Sequence, residues 1–518
     1  MPKLLSAVQL DPCGAQVGIG CRAVFSFHGQ CSMLGSVQCV FIGSDCLRKI
    51  LIILGSAVGA LLIVLGVLVW LLTPPTIKVP SQQDHIISYV TIWNPGEAPI
   101  ENQSIVIADG LITEIRDTQA DDPEPLCPGC YVMPGLIDAH IHTPPQLAIG
   151  NQRLYSLLYL YYGVTTIRDL GELDGSVPKL VDKIAKGKIP GPRMYRCGPA
   201  LDGTPASFQG AVNLETAEDG RAKVAALAAE GVDCIKVYDK LPAAAFEGVE
   251  ATAREYGLPL VGHTPHSVKL SEITDFENQH YTGVPYLEND PPEGFAYLSQ
   301  DLIDMSEEEI DALLALMVQN NISILPTNAN QLARLTVSDR DRFPATEGLM
   351  HLPLFWQQAW PNIVSHAETP EEIETELRAG PPARAFNRRA RAAGIDVLVG
   401  TDVVMPYVIP GEALHLQLEM LSQAFGSDEA ALEAATRVNA RHIDEGMIGR
   451  IQTGAYADLL FFEDDPRRGL ASMPDWTLLI ANGRLYDRAS LDEAVKRYDR
   501  HFNGKIYSTV MNFVYSLL

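Results

Sequence analysis

The chain has 518 residues, of which 47% are hydrophobic and 20% are charged. These near-average fractions exclude a disordered chain, a collagen and a small disulfide scaffold, and the length allows a large catalytic domain with a smaller accessory one. The formal net charge of -25 at pH 7 would repel nucleic acid, so we expect no nucleic-acid partner.

The longest apolar run, residues 50–72, predicts a transmembrane anchor. It contains no charged residue, and about 20 apolar helical residues suffice to cross a membrane. Arg48 and Lys49 precede the run and favour a cytoplasmic N-terminus. We therefore expect a single-pass membrane protein whose catalytic domain lies outside the cytoplasm, in the periplasm or the extracellular space. A cleaved signal peptide and a buried helix are the alternatives.

Residues 1–49 have few charges and no apolar period, which predicts a cytoplasmic tail and not a folded domain. Our hypothesis is that translation begins at or near Met33. Further along the chain, Cys127 and Cys130 have CxxC spacing, but no second CxxC follows them. We interpret this pair as a turn that a disulfide can close outside the cytoplasm.

From residue 90 onward, short apolar runs alternate with helical stretches, as in repeated βα units around a parallel sheet. This pattern predicts an α/β fold with a TIM (β/α)8 barrel over residues 131–445. Segments 83–130 and 446–487 alternate apolar and polar residues and predict one small β-sandwich built from both flanks. Residues 488–518 predict a helical tail whose end either touches the membrane surface or packs on the protein. The eight strand candidates are 131–138, 163–169, 193–198, 234–238, 258–263, 273–280, 322–327 and 396–402.

Several residues of metal-binding type stand at the ends of these strand candidates. His140 and His142 point to the same side because side chains alternate along a strand, although two ordinary polar residues would give the same pattern. His263 and His280 each end a later strand, and imidazole nitrogens suit zinc. Asp402 closes the eighth candidate, where it either caps the next helix or transfers a proton beside a metal ion.

The same alternation places Lys236 inside the predicted barrel. A buried ammonium ion without a partner is costly, and two arrangements would relieve that cost. Carbon dioxide can convert the amine to a carbamate that bridges two divalent ions, or an acid such as Asp169 can pair with the lysine.

The order of these segments resembles the metal-dependent amidohydrolase superfamily over residues 90–486, most closely its prolidase and imidazolonepropionase-like branch. The resemblance implies a site with two zinc ions. It implies that His140, His142 and Asp402 bind one ion and that His263 and His280 bind the other, with carbamylated Lys236 bridging the two. The motifs that carry it are Pro-Gly-Leu-Ile-Asp-Ala-His-Ile-His at 134–142, the strand at 163–169, Ile-Lys-Val at 235–237, Gly-Thr-Asp at 400–402, and the segments 410–415, 435–436 and 449–460.

One departure concerns the sixth strand, where the family commonly has Glu-His. This chain has Gln279 and His280 there, and an alternative register would place Glu277 and Asn278 at that position.

The resemblance implies hydrolysis of an amide or other C–N bond of a small molecule, such as an Xaa-Pro dipeptide, by a metal-bound hydroxide with Asp402 as the proton carrier. A mononuclear enzyme resembling imidazolonepropionase or a deaminase is one alternative, and a non-catalytic membrane-tethered binding protein is another. Arg168, Tyr238 and Tyr281 lie near strand ends and are candidates to hold a substrate oxygen, while Arg168 could equally serve a structural ion pair. The oligomeric state is left open.

Overall fold

The computed structural model describes residues 44–284, 299–360 and 368–516. The predicted tail up to residue 43, including Met33, lies outside these residues. The chain divides into two compact units, residues 1–71 and 72–518. The first contains most of helix α1, Ser44–Leu72. The stretch Leu51–Leu72 has a mean hydropathy of 2.8, and among the described residues it is the one helical stretch that meets the length and composition of a membrane span.

The second unit contains a seven-stranded sheet that combines strands from before and after the predicted barrel. Its order is β16-β15-β14-β4-β1-β2-β3. β1 and β4 are parallel, and the other neighbours are antiparallel. Alternate side chains such as Ile87, Ile105 and Phe461 form its buried apolar core. The seven strands are β1 His85–Ile92, β2 Ile100–Ala108, β3 Leu111–Asp117, β4 Tyr131–Pro134, β14 Leu459–Phe462, β15 Leu478–Ala481 and β16 Arg484–Asp487.

The prediction of a single strand over 131–138 is wrong, because this segment contains all of β4 and the start of a second strand that belongs to a different sheet. β4 pairs with β14, whereas β5, Leu136–Ile141, pairs with β6, Val164–Asp169. Gly135 lies between β4 and β5, and a Cβ atom there would overlap the side chain of Thr165. A glycine therefore lets the chain cross from one sheet to the other in close contact with β6.

The remaining strands form two parallel sheets, with orders β13-β12-β11-β10-β8-β9 and β5-β6-β7. The predicted eighth strand is a short segment that joins these sheets, because Val397 bridges to Ile324 of β13 and Val403 bridges to Ile141 of β5. The carboxyl ends of the strands therefore meet in one region, where the candidate site lies. The additional strands are β7 Arg193–Arg196, β8 Leu201–Asp202, β9 Val212–Asn213, β10 Ile235–Val237, β11 Leu260–Gly262, β12 Phe276–Gln279 and β13 Ile322–Leu325.

Helices connect the parallel strands and pack around them. α4 begins with a capping box between Thr216 and Asp219, and α5 ends at Gly257, whose φ of 66° suits a helix C-cap. The helices of the second unit are α2 Asn151–Tyr161, α3 Val177–Ala185, α4 Ala217–Ala229, α5 Ala243–Tyr256, α6 Ser299–Asp304, α7 Glu307–Gln319, α8 Asn328–Ser338, α9 Leu354–Ala359, α10 Pro370–Ala392, α11 Glu412–Phe425, α12 Asp428–Glu433, α13 Asn439–Arg441, α14 Arg488–Phe502 and α15 Lys505–Ser516.

Two disulfides lie in the second unit. Cys127 and Cys130 close a turn with a Cα–Cα distance of 5.5 Å, as the CxxC spacing suggested. Cys197 and Cys234 link the segment after β7 to the residue before β10, with a Cα–Cα distance of 4.4 Å. This second pair was not predicted, because its members are 37 residues apart in the sequence and share no motif.

Candidate metal centre

The site begins where β5 meets the segment that joins the two parallel sheets. The Nε2 atoms of His140 and His142 lie 3.3 and 3.2 Å from the same oxygen, Oδ1 of Asp402. The backbone N–H groups of Thr401 and Asp402 both donate to the carbonyl oxygen of His140, at 3.2 and 2.8 Å. A Cβ atom at Gly400 would press against His140. The glycine therefore allows two segments that are distant in sequence to meet closely.

Two further imidazoles complete the group. The ring of His280 lies 4.8 Å from that of His140 and 5.0 Å from that of His263, measured between centroids. One ligand atom each from His140, His280 and Asp402 lies within 4.8 Å of the others. This group of nitrogen and oxygen donors could hold a metal ion, and zinc takes both kinds of donor. The structure thus brings all four predicted histidines and Asp402 together.

Each of the four imidazoles uses its Nδ1 atom in a hydrogen bond within the protein. Such outer contacts fix the ring orientation and leave Nε2 for a metal ion. The pairs are His140 with Oε1 of Gln279 at 2.6 Å, His142 with the carbonyl oxygen of Gly171 at 3.0 Å, His263 with Oδ1 of Asp239 at 2.7 Å, and His280 with the hydroxyl of Thr327.

Lys236 lies in the middle of β10 with its side chain buried, and its Nζ atom has no hydrogen-bond partner among the described residues. Burial lowers the pKa of the ammonium group to about 8. Asp169 does not pair with it, because that carboxylate accepts from the backbone N–H groups of Thr143 and Gly171, at 2.8 and 3.0 Å. An unpartnered buried amine beside four imidazoles and a carboxylate fits the carbamate arrangement better than a lysine–acid pair.

The electrostatics favour the protonation states that metal ligands need. Burial lowers the pKa of His140 to about 3 and also lowers those of His263 and His280. Burial alone would raise the pKa of Asp402, but His140 and His280 hold it well below its ordinary value. For His142 the neighbouring Asp402 outweighs burial and raises the pKa. Three neutral imidazoles and an ionised carboxylate are ready to bind a cation.

Three site residues adopt backbone conformations that non-glycine residues rarely take. His280, Thr327 and Asp402 have φ angles of 59°, 44° and 62°, in the left-handed region. Each such residue costs on the order of 1–3 kcal/mol, and such residues cluster at functional sites. All three lie at the carboxyl ends of the strands, and this clustering indicates a functional site in this region.

The sequence profile of the amidohydrolase family matches residues 131–487. The chain belongs to this family. It is accordingly a hydrolase that acts on C–N bonds, and the family implies a TIM barrel and generally binds divalent metal ions.

Solved structures share the fold of this amidohydrolase at low sequence identity. A bottromycin amidohydrolase is 24% identical, with a TM-score of 0.61 over 81% of this chain and 90% of its own. A Bifidobacterium longum protein assigned as a prolidase is 23% identical, with a TM-score of 0.57 over 82% of this chain and 100% of its own. A Xaa-Pro dipeptidase with methionine bound in its active site is 19% identical, with a TM-score of 0.55 over 78% and 100%. A comparison with curated proteins finds no match.

The three candidate substrate-binding residues of the amidohydrolase have different surroundings. Arg168 is buried and donates to the carbonyl oxygen of Ala139 at 2.9 Å and to Glu277. Tyr281 is buried and donates to Asn387 at 2.9 Å. Tyr238 is half-buried, and its ring stacks on that of His263 at 4.1 Å. Tyr238 is therefore in contact with one of the candidate metal ligands.

β12 ends at Gln279, so that His280 follows it directly and joins the other imidazoles. The alternative register is not what the structure has. Glu277 pairs with Arg168, and the amide of Asn278 donates to Thr264 at 2.9 Å. Neither side chain replaces His280 in the group.

The supporting roles of three residues were not predicted from the sequence. Gln279 links His140 to Glu277, to which its amide donates at 2.7 Å. Asp239 directly follows the fourth predicted strand, so a carboxylate at a strand end was available as a signal. Asn330 donates to Oδ2 of Asp402 at 2.6 Å, but it lies in α8 and nothing in the sequence pattern marked it.

Proposed function

We propose that this amidohydrolase binds two zinc ions and hydrolyses an amide bond of a small molecule, with an Xaa-Pro dipeptide as the first substrate to test. The observation that carries this proposal is the unpartnered Nζ atom of Lys236 beside four converging imidazoles and Asp402. The prolidase-related proteins among the structural neighbours support dipeptides as the first class to examine.

In this proposal His140, His142 and Asp402 hold one ion, and His263 and His280 hold the other. The neutral amine of Lys236 would add to carbon dioxide with loss of a proton, and the resulting carbamate would offer oxygen ligands for the divalent ions. Burial supports this reaction, because a lysine whose pKa falls to about 8 is roughly one-tenth uncharged at pH 7, whereas almost none of a lysine with the ordinary pKa of about 10.4 is uncharged there. When bound, the ions supply Lewis acidity for the scissile carbonyl group and for the attacking water.

The residues of the chain itself position the reactants and move the proton. Asp402 accepts the proton of the attacking water and passes it to the leaving nitrogen, as a positioned carboxylate can. Asn330 fixes the orientation of this carboxylate through Oδ2, while Oδ1 faces His140 and His142. Tyr238 covers His263 with its ring and limits access of water to that side of the site.

The proposal includes a closed barrel and a membrane anchor. Backbone hydrogen bonds support closure, because the joining segment bonds to both neighbouring sheets and Asp233 donates to the carbonyl oxygen of Arg196 at 2.8 Å between β7 and β10. The apolar stretch Leu51–Leu72 supports the anchor. The two disulfides support a catalytic unit outside the cytoplasm, since disulfides persist mainly in oxidising compartments.

The test is to count zinc per chain and to measure dipeptide hydrolysis in the wild type and in Lys236→Ala. We expect about two ions in the wild type, fewer in the variant, and activity only in the wild type, with partial rescue of the variant by a short carboxylic acid that replaces the carbamate. Lys240→Ala is the matched control, because this neighbouring lysine is exposed and its Nζ atom donates to a carbonyl oxygen.

Two results would contradict the proposal in different ways. One zinc ion in both the wild type and Lys236→Ala would eliminate the bridged site and favour a mononuclear enzyme. A zinc-loaded wild type that is inert towards panels of dipeptides and lactams would instead favour a binding protein.

A further inference from the structure

The C-terminal helix α15 has one buried side and one exposed apolar side. Tyr507 and Met511 are buried, and the hydroxyl of Tyr507 donates to the carbonyl oxygen of Ile149 at 2.9 Å. On the other side Ile506 and Phe513, two turns apart, are 57% and 63% exposed. Single exposed apolar side chains are common on protein surfaces, whereas a group of them on one face marks a membrane or partner surface.

Two more exposed apolar side chains stand close to this helix. Leu147, 59% exposed, belongs to the same loop as Ile149, which Tyr507 contacts. Met350 is 62% exposed, and its carbonyl oxygen accepts a hydrogen bond from Asn503 at 3.2 Å, just before α15 begins. We call Leu147, Met350, Ile506 and Phe513 the apolar rim.

The apolar rim lies beside the point where the chain leaves the predicted membrane span. Leu72, the last residue of that span, is buried in the second unit. Its carbonyl oxygen accepts from Nε2 of His501 at 3.1 Å, four residues before α15. Pro74 packs so closely on Gly150 that a Cβ atom there would overlap it. The loop that carries Leu147 and the start of α15 therefore both lie near the exit of the span.

The charge around α15 also differs from that of the whole chain. Residues 488–505 contain five Lys or Arg residues and three Asp or Glu residues, a net charge of +2, whereas the chain carries -25. An amphipathic helix with apolar residues on one side and cations close by is the usual composition of a helix that lies in the membrane interface. At about 1.5 Å per residue, the 12 residues of α15 are too short to span a bilayer but long enough to lie along its surface.

We infer that the apolar rim is a second membrane contact, in which α15 and the loop around Leu147 rest in the headgroup region of the bilayer. The inference depends on the proposed anchor, because the exit of the span at Leu72 is what brings the bilayer to this face. The loop that carries Leu147 starts directly after the candidate ligand His142, so a short stretch of chain joins this contact to the candidate metal centre.

The experiment uses the full chain reconstituted in liposomes of phosphatidylcholine and phosphatidylglycerol. A benzophenone amino acid replaces Phe513 or Ile506 in the rim, Leu62 in the span, or Tyr256 as a control, and lipid adducts are measured by intact mass after illumination. Tyr256 is a matched control because it is 52% exposed. It lies at the end of α5, just before a strand begins, and therefore at the end of the strands that is opposite to the site. We expect lipid adducts at the rim and in the span, and several-fold less at the control position.

The span position separates the two proposals. Lipid adducts at Leu62 with none at the rim above the control level would overturn the rim contact while supporting the anchor. Adducts at neither position would overturn both. Rim adducts that join two protein chains instead of lipid would assign this face to a second copy and would also overturn the inference.

Discussion

Replacement of Arg168 by methionine should lower the stability of the protein, because this residue has a structural role. It should not behave as a substitution that removes a contact to the substrate. The guanidinium group is 1% exposed and pairs with Glu277, whose side chain is 4% exposed. It also donates to the carbonyl oxygens of Ala139 and His442, at 2.9 and 3.3 Å. The substitution leaves a carboxylate and two carbonyl groups without their strongest donor in the interior.

The expected magnitude follows from the class of interaction. Removing one partner of a buried ion pair costs about 3–5 kcal/mol, because the other charge stays buried without compensation. The entropy of unfolding is about 2.1 cal/mol/K per residue. For the 447 residues of the second unit, the total entropy of unfolding is therefore roughly 0.9 kcal/mol/K. The melting temperature should therefore fall by about 3–5 °C.

The assay is thermal unfolding in detergent, followed by circular dichroism at one fixed heating rate. A double variant, Arg168→Met with Glu277→Gln, provides the control, because it removes the uncompensated charge and keeps an amide that can bond to Gln279. It should melt above the single Arg168→Met variant. An unchanged melting temperature in Arg168→Met, together with a raised KM for a dipeptide, would refute the structural role and reinstate Arg168 as a substrate residue.

Three further predictions concern the support of the site. Gln279→Leu removes the hydrogen-bond acceptor of His140 and should weaken zinc binding about 10–100-fold, measured by competition with a chelator. Gln279→Glu keeps an acceptor and should bind zinc more tightly than Gln279→Leu, so equal zinc affinities in the two variants would contradict this role. Replacing Cys197 and Cys234 by serine removes a disulfide that spans 37 residues. The loss should lower the free energy of unfolding by about 4 kcal/mol and the melting temperature by about 4 °C, and an unchanged melting curve would count against this disulfide. At a fixed concentration of dissolved carbon dioxide, the rate at which zinc reactivates the metal-free enzyme should rise with pH and level off above about pH 8, because only the uncharged form of Lys236 reacts and burial lowers its pKa to about 8. A rate that does not depend on pH would argue against carbamate formation.

Local sequence patterns were enough to place several candidate residues. The period of two along a strand placed His140 and His142 on one side, and the same period placed Lys236 in the interior. These predictions succeed because a strand end fixes the direction of its side chains wherever the strand lies in the fold.

Contacts between distant segments were beyond reach for the sequence analysis. The segment 131–138 is one short apolar run in the sequence, and only the pairing of β4 with β14 and of β5 with β6 shows that it serves two sheets. The bond between Gln279 and His140 joins residues 139 positions apart, and no local period encodes it. Arg168 was placed near a strand end, where it could hold a substrate oxygen or serve a structural ion pair. Its buried partner Glu277 belongs to another strand, so the structural role appears only in the folded chain.

The most direct test of the account is a crystal structure of the zinc-loaded full chain with anomalous diffraction measured at the zinc absorption edge. We predict two anomalous peaks, one among His140, His142 and Asp402 and one between His263 and His280, with density for a carboxylated Lys236 reaching both. A single peak, an unmodified Lys236 side chain, or zinc bound away from these residues would contradict the proposed binuclear centre.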